Sequence, residues 1–95
     1  MRFCTMRLRY FFIGLTAAFM STAAQAGPQC TQEPRSAWMP ADKVLAKATR
    51  EVPKLKLFKV TDGNCFEIYG WGKAGEKLEI YYHPVTGEVV KRGSW

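Results

Sequence analysis

Cys65-Phe66-Glu67-Ile68-Tyr69-Gly70-Trp71 and Lys77-Leu78-Glu79-Ile80-Tyr81-Tyr82-His83, joined by Gly72-Lys73-Ala74-Gly75-Glu76, decide the fold. Each run alternates with a period of two, as a strand buried on one face requires, and the glycine-flanked connector supplies turn chemistry. Folding the second run back about Lys73–Gly75 pairs Phe66 with Tyr82, Ile68 with Ile80 and Gly70 with Leu78. That face is apolar. Cys65, Glu67, Tyr69, Trp71, Lys77, Glu79, Tyr81 and His83 fall on the other, because neighbouring side chains of a strand point to opposite faces.

Outward from this hairpin, a strand over Leu55–Thr61 is predicted to end at Asp62-Gly63-Asn64. Phe58 and Val60 share one parity and Leu55 and Leu57 the other, which predicts a bulge or a late strand start. On the far side, Pro84-Val85-Thr86-Gly87 turns the chain into a last short strand, Glu88–Arg92; Pro84 presets one turn dihedral and Gly87 accepts a positive φ. Upstream the period changes: Val44, Leu45, Ala48 and Val52 recur at helical spacing, with Lys43, Lys47, Arg50 and Glu51 mostly opposite. Pro40 suits the first turn of this helix, Asp42 lies near its positive end, and Pro53 helps to stop it. The expected fold class is α+β, one amphipathic helix packed on a three- to four-stranded antiparallel β-meander.

At the N-terminus, Arg2, Arg7 and Arg9 precede an apolar run from Tyr10 to about Ala24, followed by Ala24-Gln25-Ala26. This is the pattern of a secretory signal peptide cleaved before Gly27, because the run is shorter than the roughly 20 residues a membrane-crossing helix needs. Arg7 and Arg9 do not form a twin-arginine pair, and Cys30 stands too far past Ala26 for a lipoprotein. A periplasmic or secreted protein without a membrane span after cleavage is expected. The expected division is 1–26 signal peptide, 27–37 extended arm, 38–92 domain and 93–95 tail.

Cleavage lowers the charge. Of the 14 basic residues three leave with the signal and none of the eight acidic ones do, so eleven face eight and the net charge falls from +6 to +3. The remaining lysines are scattered, so no phosphate-tracking stripe forms and nucleic acid is not an expected partner. Cys4 leaves as well. Cys30 and Cys65 are then the only two cysteines in an oxidising compartment, which predicts a disulfide contributing roughly 4 kcal/mol on chain-entropy grounds. A metal site of Cys30, Cys65 and the lone His83 lacks any spacing that would pre-arrange ligands, so no metal and no cofactor are expected.

From Trp38 to Val90 the chain resembles a PepSY domain, the small module of peptidase propeptides and related exported proteins. The resemblance is carried by the Pro40-Ala41-Asp42 helix start, Asp62-Gly63-Asn64-Cys65-Phe66-Glu67-Ile68-Tyr69, Gly75-Glu76-Lys77-Leu78-Glu79-Ile80-Tyr81, and His83-Pro84-Val85-Thr86-Gly87-Glu88-Val89-Val90. The last is the most specific and is similar to the family's Asp-Pro-x-Thr-Gly turn, with His83 where the family usually has an acid. The resemblance implies a noncatalytic module that binds, restrains or escorts a peptidase or another envelope protein.

The residues agree that catalytic machinery is missing. Ser36 and Ser94 have no histidine close in sequence, no glycine-rich loop leads from a strand into a helix, and Glu67 and Glu79 are expected as solvated sheet acids. Tyr69, Trp71 and Tyr81 on the face away from the helix are the candidate binding residues, with Glu67, Glu79 and Lys77 as a polar rim. A ligand- or surface-binding protein of the envelope, taking glycan, lipid or metal on that aromatic face, is the alternative. In a competing arrangement the arm, stapled through Cys65, folds across this face with Trp38 and buries some of the rings.

Overall fold

The computed structural model describes residues 27–95; the signal peptide expected over 1–26 lies outside the described residues. A 3-10 turn, Arg35–Ala37, leads to helix α1, Ala41–Glu51, and then to four strands: β1, Lys54–Val60; β2, Phe66–Trp71; β3, Lys77–Tyr82; and β4, Val89–Gly93. They form one antiparallel sheet in the order β1-β2-β3-β4, so the α+β meander with one covering helix is the observed fold. The central register is the expected one, with Phe66 opposite Tyr82, Ile68 opposite Ile80 and Gly70 opposite Leu78. In β1 the register slips between Leu55 and Leu57, so of the two expected resolutions of the conflicting parities the structure takes the bulge, and the strand starts at Lys54.

Helix α1 begins without a side-chain cap: Pro40 occupies the cap position with extended backbone and Asp42 supplies the negative charge in the first turn. Val44, Ala48 and Val52 pack against Phe66, Ile68, Ile80 and Tyr82 as a fully buried core, bordered by Trp38, Phe58, Val60, Leu78 and Val89. Two polar ties hold the helix to the far hairpin. The Lys47 ammonium donates to the Gly87 carbonyl at 2.6 Å, and the Arg92 guanidinium grips Glu51 through two hydrogen bonds of 2.8 and 3.0 Å. Gly70 is required at its place: a Cβ there would run into Val52 and the Lys54 carbonyl.

The arm before the helix is stapled by the Cys30–Cys65 disulfide, with a Cα–Cα distance of 5.2 Å. The Cys30 amide donates to the Gly63 carbonyl at 2.8 Å and the Asn64 side-chain amide to the Thr31 carbonyl at 3.2 Å. Gly27 lies against the edge of the Tyr81 ring, whereas Trp38 meets Phe66 edge-on at 5.5 Å in the helix-side core. The arm therefore starts on one face of the sheet, rounds the β1–β2 turn and ends on the other. Trp38 does not help to cover the open face as expected, because Pro40 and the helix start behind it draw it to the core side.

Candidate functional site

The face opposite α1 carries all six candidate residues, and the structure divides them into two groups. Toward one end Tyr69, Trp71 and Lys77 gather around Trp95. The Trp95 ring meets Trp71 at 5.3 Å and Tyr69 at 6.1 Å, both edge-to-face, and its indole N–H donates to the Gly70 carbonyl at 3.3 Å. Three lysines cap the rings: Lys56 and Lys77 stand 5.1 and 4.7 Å from the centre of Trp95, and Lys54 stands 5.1 Å from that of Trp71. Trp71 and Trp95 remain half-buried, and Leu57, paired across from Tyr69, is 45 % exposed.

Toward the other end Glu67, Tyr81 and Glu79 form a second group. Glu67 faces Tyr81 across the β2–β3 ladder and Tyr69 faces Glu79, so acids and phenols alternate on a two-by-two grid. The Tyr81 hydroxyl donates to Glu79 Oε2 at 2.9 Å. Glu67 is only 2 % exposed and Tyr81 only 7 %, so Glu67 is not the solvated rim acid that strand alternation alone suggests. The rings on either side and the arm over Tyr81 remove it from water. Lys59 lies 3.7 Å from Glu67 Oε1, while Oε2 has no hydrogen-bond partner among the described residues.

Burial pushes the Glu67 carboxyl above the usual carboxylate range, and the neighbouring Glu79 pushes it the same way. Glu79 is held below that range, first by the Glu67 carboxyl and then by the Tyr81 and Tyr69 hydroxyls, against its own partial burial. Of the two acids, Glu67 is thus the harder to ionise and Glu79 the easier. Tyr69 is raised chiefly by Glu67 beside it, and Tyr81 chiefly by burial. A small cavity of about 210 Å³ opens here, lined by Lys59, Asp62, Glu67, Tyr69 and Tyr81. It has neither a nucleophile activated by a base nor a histidine.

A larger groove, about 570 Å³, runs on the opposite side between α1 and the β2–β3 turn and β4, with Lys47, Arg50, Lys73, Glu76 and Arg92 on its walls. Arg92 is paired with Glu51, while Lys47 donates to the uncharged Gly87 carbonyl, so with Arg50 and Lys73 against Glu76 the groove stays basic, four cations facing two acids. His83 takes the place of the expected turn acid in function as well as position: Nδ1 accepts from the amides of Val85 at 3.2 Å and Thr86 at 3.4 Å, as a carboxylate there would. Among the described residues no group of three or more His, Cys, Asp or Glu could hold a metal ion, and no helix is long and apolar enough to cross a membrane.

Sequence reading missed Trp95, Lys54, Lys56 and Lys59 as parts of this face. The signal for Trp95 was present in parity, since Lys91 faces Tyr81 and Gly93 faces Glu79, which carries residue 95 to the side of Lys77; Lys54 and Lys59 differ in parity and share the face only through the slip between Leu55 and Leu57. Among known families, the one described as peptidase propeptide and YPEB domain matches residues 10–93. No curated protein and no solved structure matches the chain.

Proposed function

We propose that this chain, which belongs to the PepSY family of peptidase propeptide and YPEB domains, is a noncatalytic exported module that binds a peptidase of the cell envelope and restrains or escorts it. Domains of this family are propeptide- or inhibitor-like and typically exported. The observation that carries the reading is the Trp71–Trp95 pair, half-open on the sheet face, with the exposed Leu57 of edge strand β1 beside it. Large aromatics of this kind, ringed by cations, are the residues that dominate protein interfaces when a partner finishes burying them. The edge of β1 offers a second hold, since no described strand pairs with its outward side and an extended segment of the partner could add there. Glu67, Glu79 and Tyr81, at the other end of the same face, are assigned to anchor the arm and not to touch the partner.

The test is site-specific photocrosslinking in the exporting host, with the reactive side chain at Leu57 in one strain and at Lys43 on the outer side of α1 in another. A peptidase crosslinked from position 57 and absent from position 43 is the expected result; equal capture from both positions would contradict the assignment to this face.

The placement of Lys54, Lys56 and Lys77 over the indole rings favours one further reading, an anionic glycan or lipid headgroup of the envelope as the ligand. It predicts binding to vesicles containing anionic lipid that weakens as salt is raised, with no protein captured from position 57.

A further inference from the structure

The acid pair holds an unfinished feature. Glu67 is almost wholly buried, its Oε2 has no hydrogen-bond partner among the described residues, and it lines the small cavity together with Tyr81. An orphaned buried carboxyl oxygen is costly unless something satisfies it. The charged groups around it are Lys59 from β1, Glu67 from β2, Glu79 from β3, Lys91 from β4 and Asp62 in the β1–β2 turn, with the Tyr69 and Tyr81 hydroxyls between them. With all three carboxyls ionised, three acids meet two cations. One positive charge would balance the group.

Gly27 stands against Tyr81, one of the residues that line this cavity. A Cβ on it would lie 3.0 Å from both the Cε2 and the hydroxyl oxygen of Tyr81, so only glycine fits without displacing the ring, and its φ of +92° is one that glycine adopts freely. The same hydroxyl is 2.9 Å from Glu79 Oε2. Since a backbone nitrogen lies about 2.5 Å from the Cβ of its own residue, the Gly27 nitrogen is at most about 5.5 Å from that hydroxyl by covalent geometry. Gly27 is also the residue that the Ala24-Gln25-Ala26 pattern makes the first of the processed chain.

We propose that cleavage of the Ala26–Gly27 bond creates a binding partner for this acid pair: the new α-ammonium of Gly27 seats against the Tyr81 ring and the Glu67 and Glu79 carboxyls, locking the arm to the open face only in the processed protein. An export-associated endopeptidase hydrolyses the bond with one water; the carboxylate leaves on Ala26, and the Gly27 amine takes up a proton at neutral pH. Before cleavage that nitrogen is an uncharged amide and supplies no charge. Processing and completion of the fold are thereby coupled, and Lys59 and Lys91 remain the outer cations of a balanced cluster. The inference does not depend on which partner the opposite end of the face takes.

The experiment uses the processed protein from an exporting host, its first residue read by mass spectrometry. One portion is acetylated selectively at the α-amine near neutral pH, and the α-amine of the other is titrated by NMR after reductive ¹³C-methylation, which preserves the charge. The seated ammonium should titrate at least half a unit above the ordinary α-amine range of about 7.7 to 8.0. Acetylation should lower the thermal midpoint by several degrees. The double variant Glu67→Gln, Glu79→Gln should return the α-amine to its ordinary range and make acetylation harmless. A first residue other than Gly27, an unshifted α-amine, or an acetylated protein as stable as the free one would each overturn the proposal. Should the double variant fail to fold, the first two readings on the unmutated protein decide.

Discussion

His83 carries the β3–β4 turn through one lone pair, on which the amides of Val85 and Thr86 converge. Removing that acceptor in His83→Ala should cost about 1 kcal/mol in urea unfolding, while His83→Asp should recover most of it, since a carboxylate offers the same acceptor. Glu67 behaves differently, because its pKa is raised on folding, by burial first. A group of that kind adds stability below the ordinary carboxylate pKa and loses it as pH rises through the folded value, since the buried form must then either hold its proton or carry a charge. In the protein whose Gly27 α-amine is acetylated, so that no ammonium faces it, Glu67→Gln should therefore be as stable as the parent near pH 4 and more stable at pH 8, by about 1 kcal/mol, read from thermal midpoints across that range. The position of Glu67 on the open face was legible from alternation in β2, but its burial was not. The tyrosines and the arm that shield it come from β3 and from Gly27, and a period of two says nothing about what lies above a face.

Among the elements, the hairpin β2–β3 was legible in full, because apolar and polar positions in both runs agree on a single register. Strand β1 was legible as a conflict, and the slip between Leu55 and Leu57 resolves it by giving Lys56 a place beside Trp95 on the open face. The helix-to-sheet tie between Glu51 and Arg92 was not legible, since partners 41 residues apart meet only once β4 is placed. Glu51 is held below the usual carboxylate range, chiefly by its hydrogen bond with Arg92, so its contribution is present above that range and is lost as pH falls through the folded value. Both side chains are more than a third exposed, so Glu51→Gln should cost only about 0.5 kcal/mol at pH 7 and nothing at pH 2.5. The disulfide is worth more. Reduction frees the arm from Gly63 and Asn64, and the protein carrying Cys30→Ala and Cys65→Ala should lose about 4 kcal/mol in denaturant unfolding, a large part of what so small a domain possesses.

Among the described residues of the whole molecule, one α-helix covers one face of the sheet, and the other face is divided between an acid pair beside Tyr81, against which the arm begins, and an aromatic cluster left half-open. The division places rigidity at the Cys30 end and contact area at the Trp95 end. Family membership accounts for the likeness to propeptide modules, and the Trp71–Trp95 pair accounts for where a partner would seat. The most direct measurement is the affinity of the processed protein for the peptidase crosslinked from position 57, taken by calorimetry for the native protein and for Trp95→Ala. A weakening of more than about fivefold, the equivalent of about 1 kcal/mol, with the thermal midpoint moved by no more than about 2 °C, is the predicted result. An unchanged affinity, or a loss that only tracks a fall in stability, would contradict the claim that this face is the binding surface.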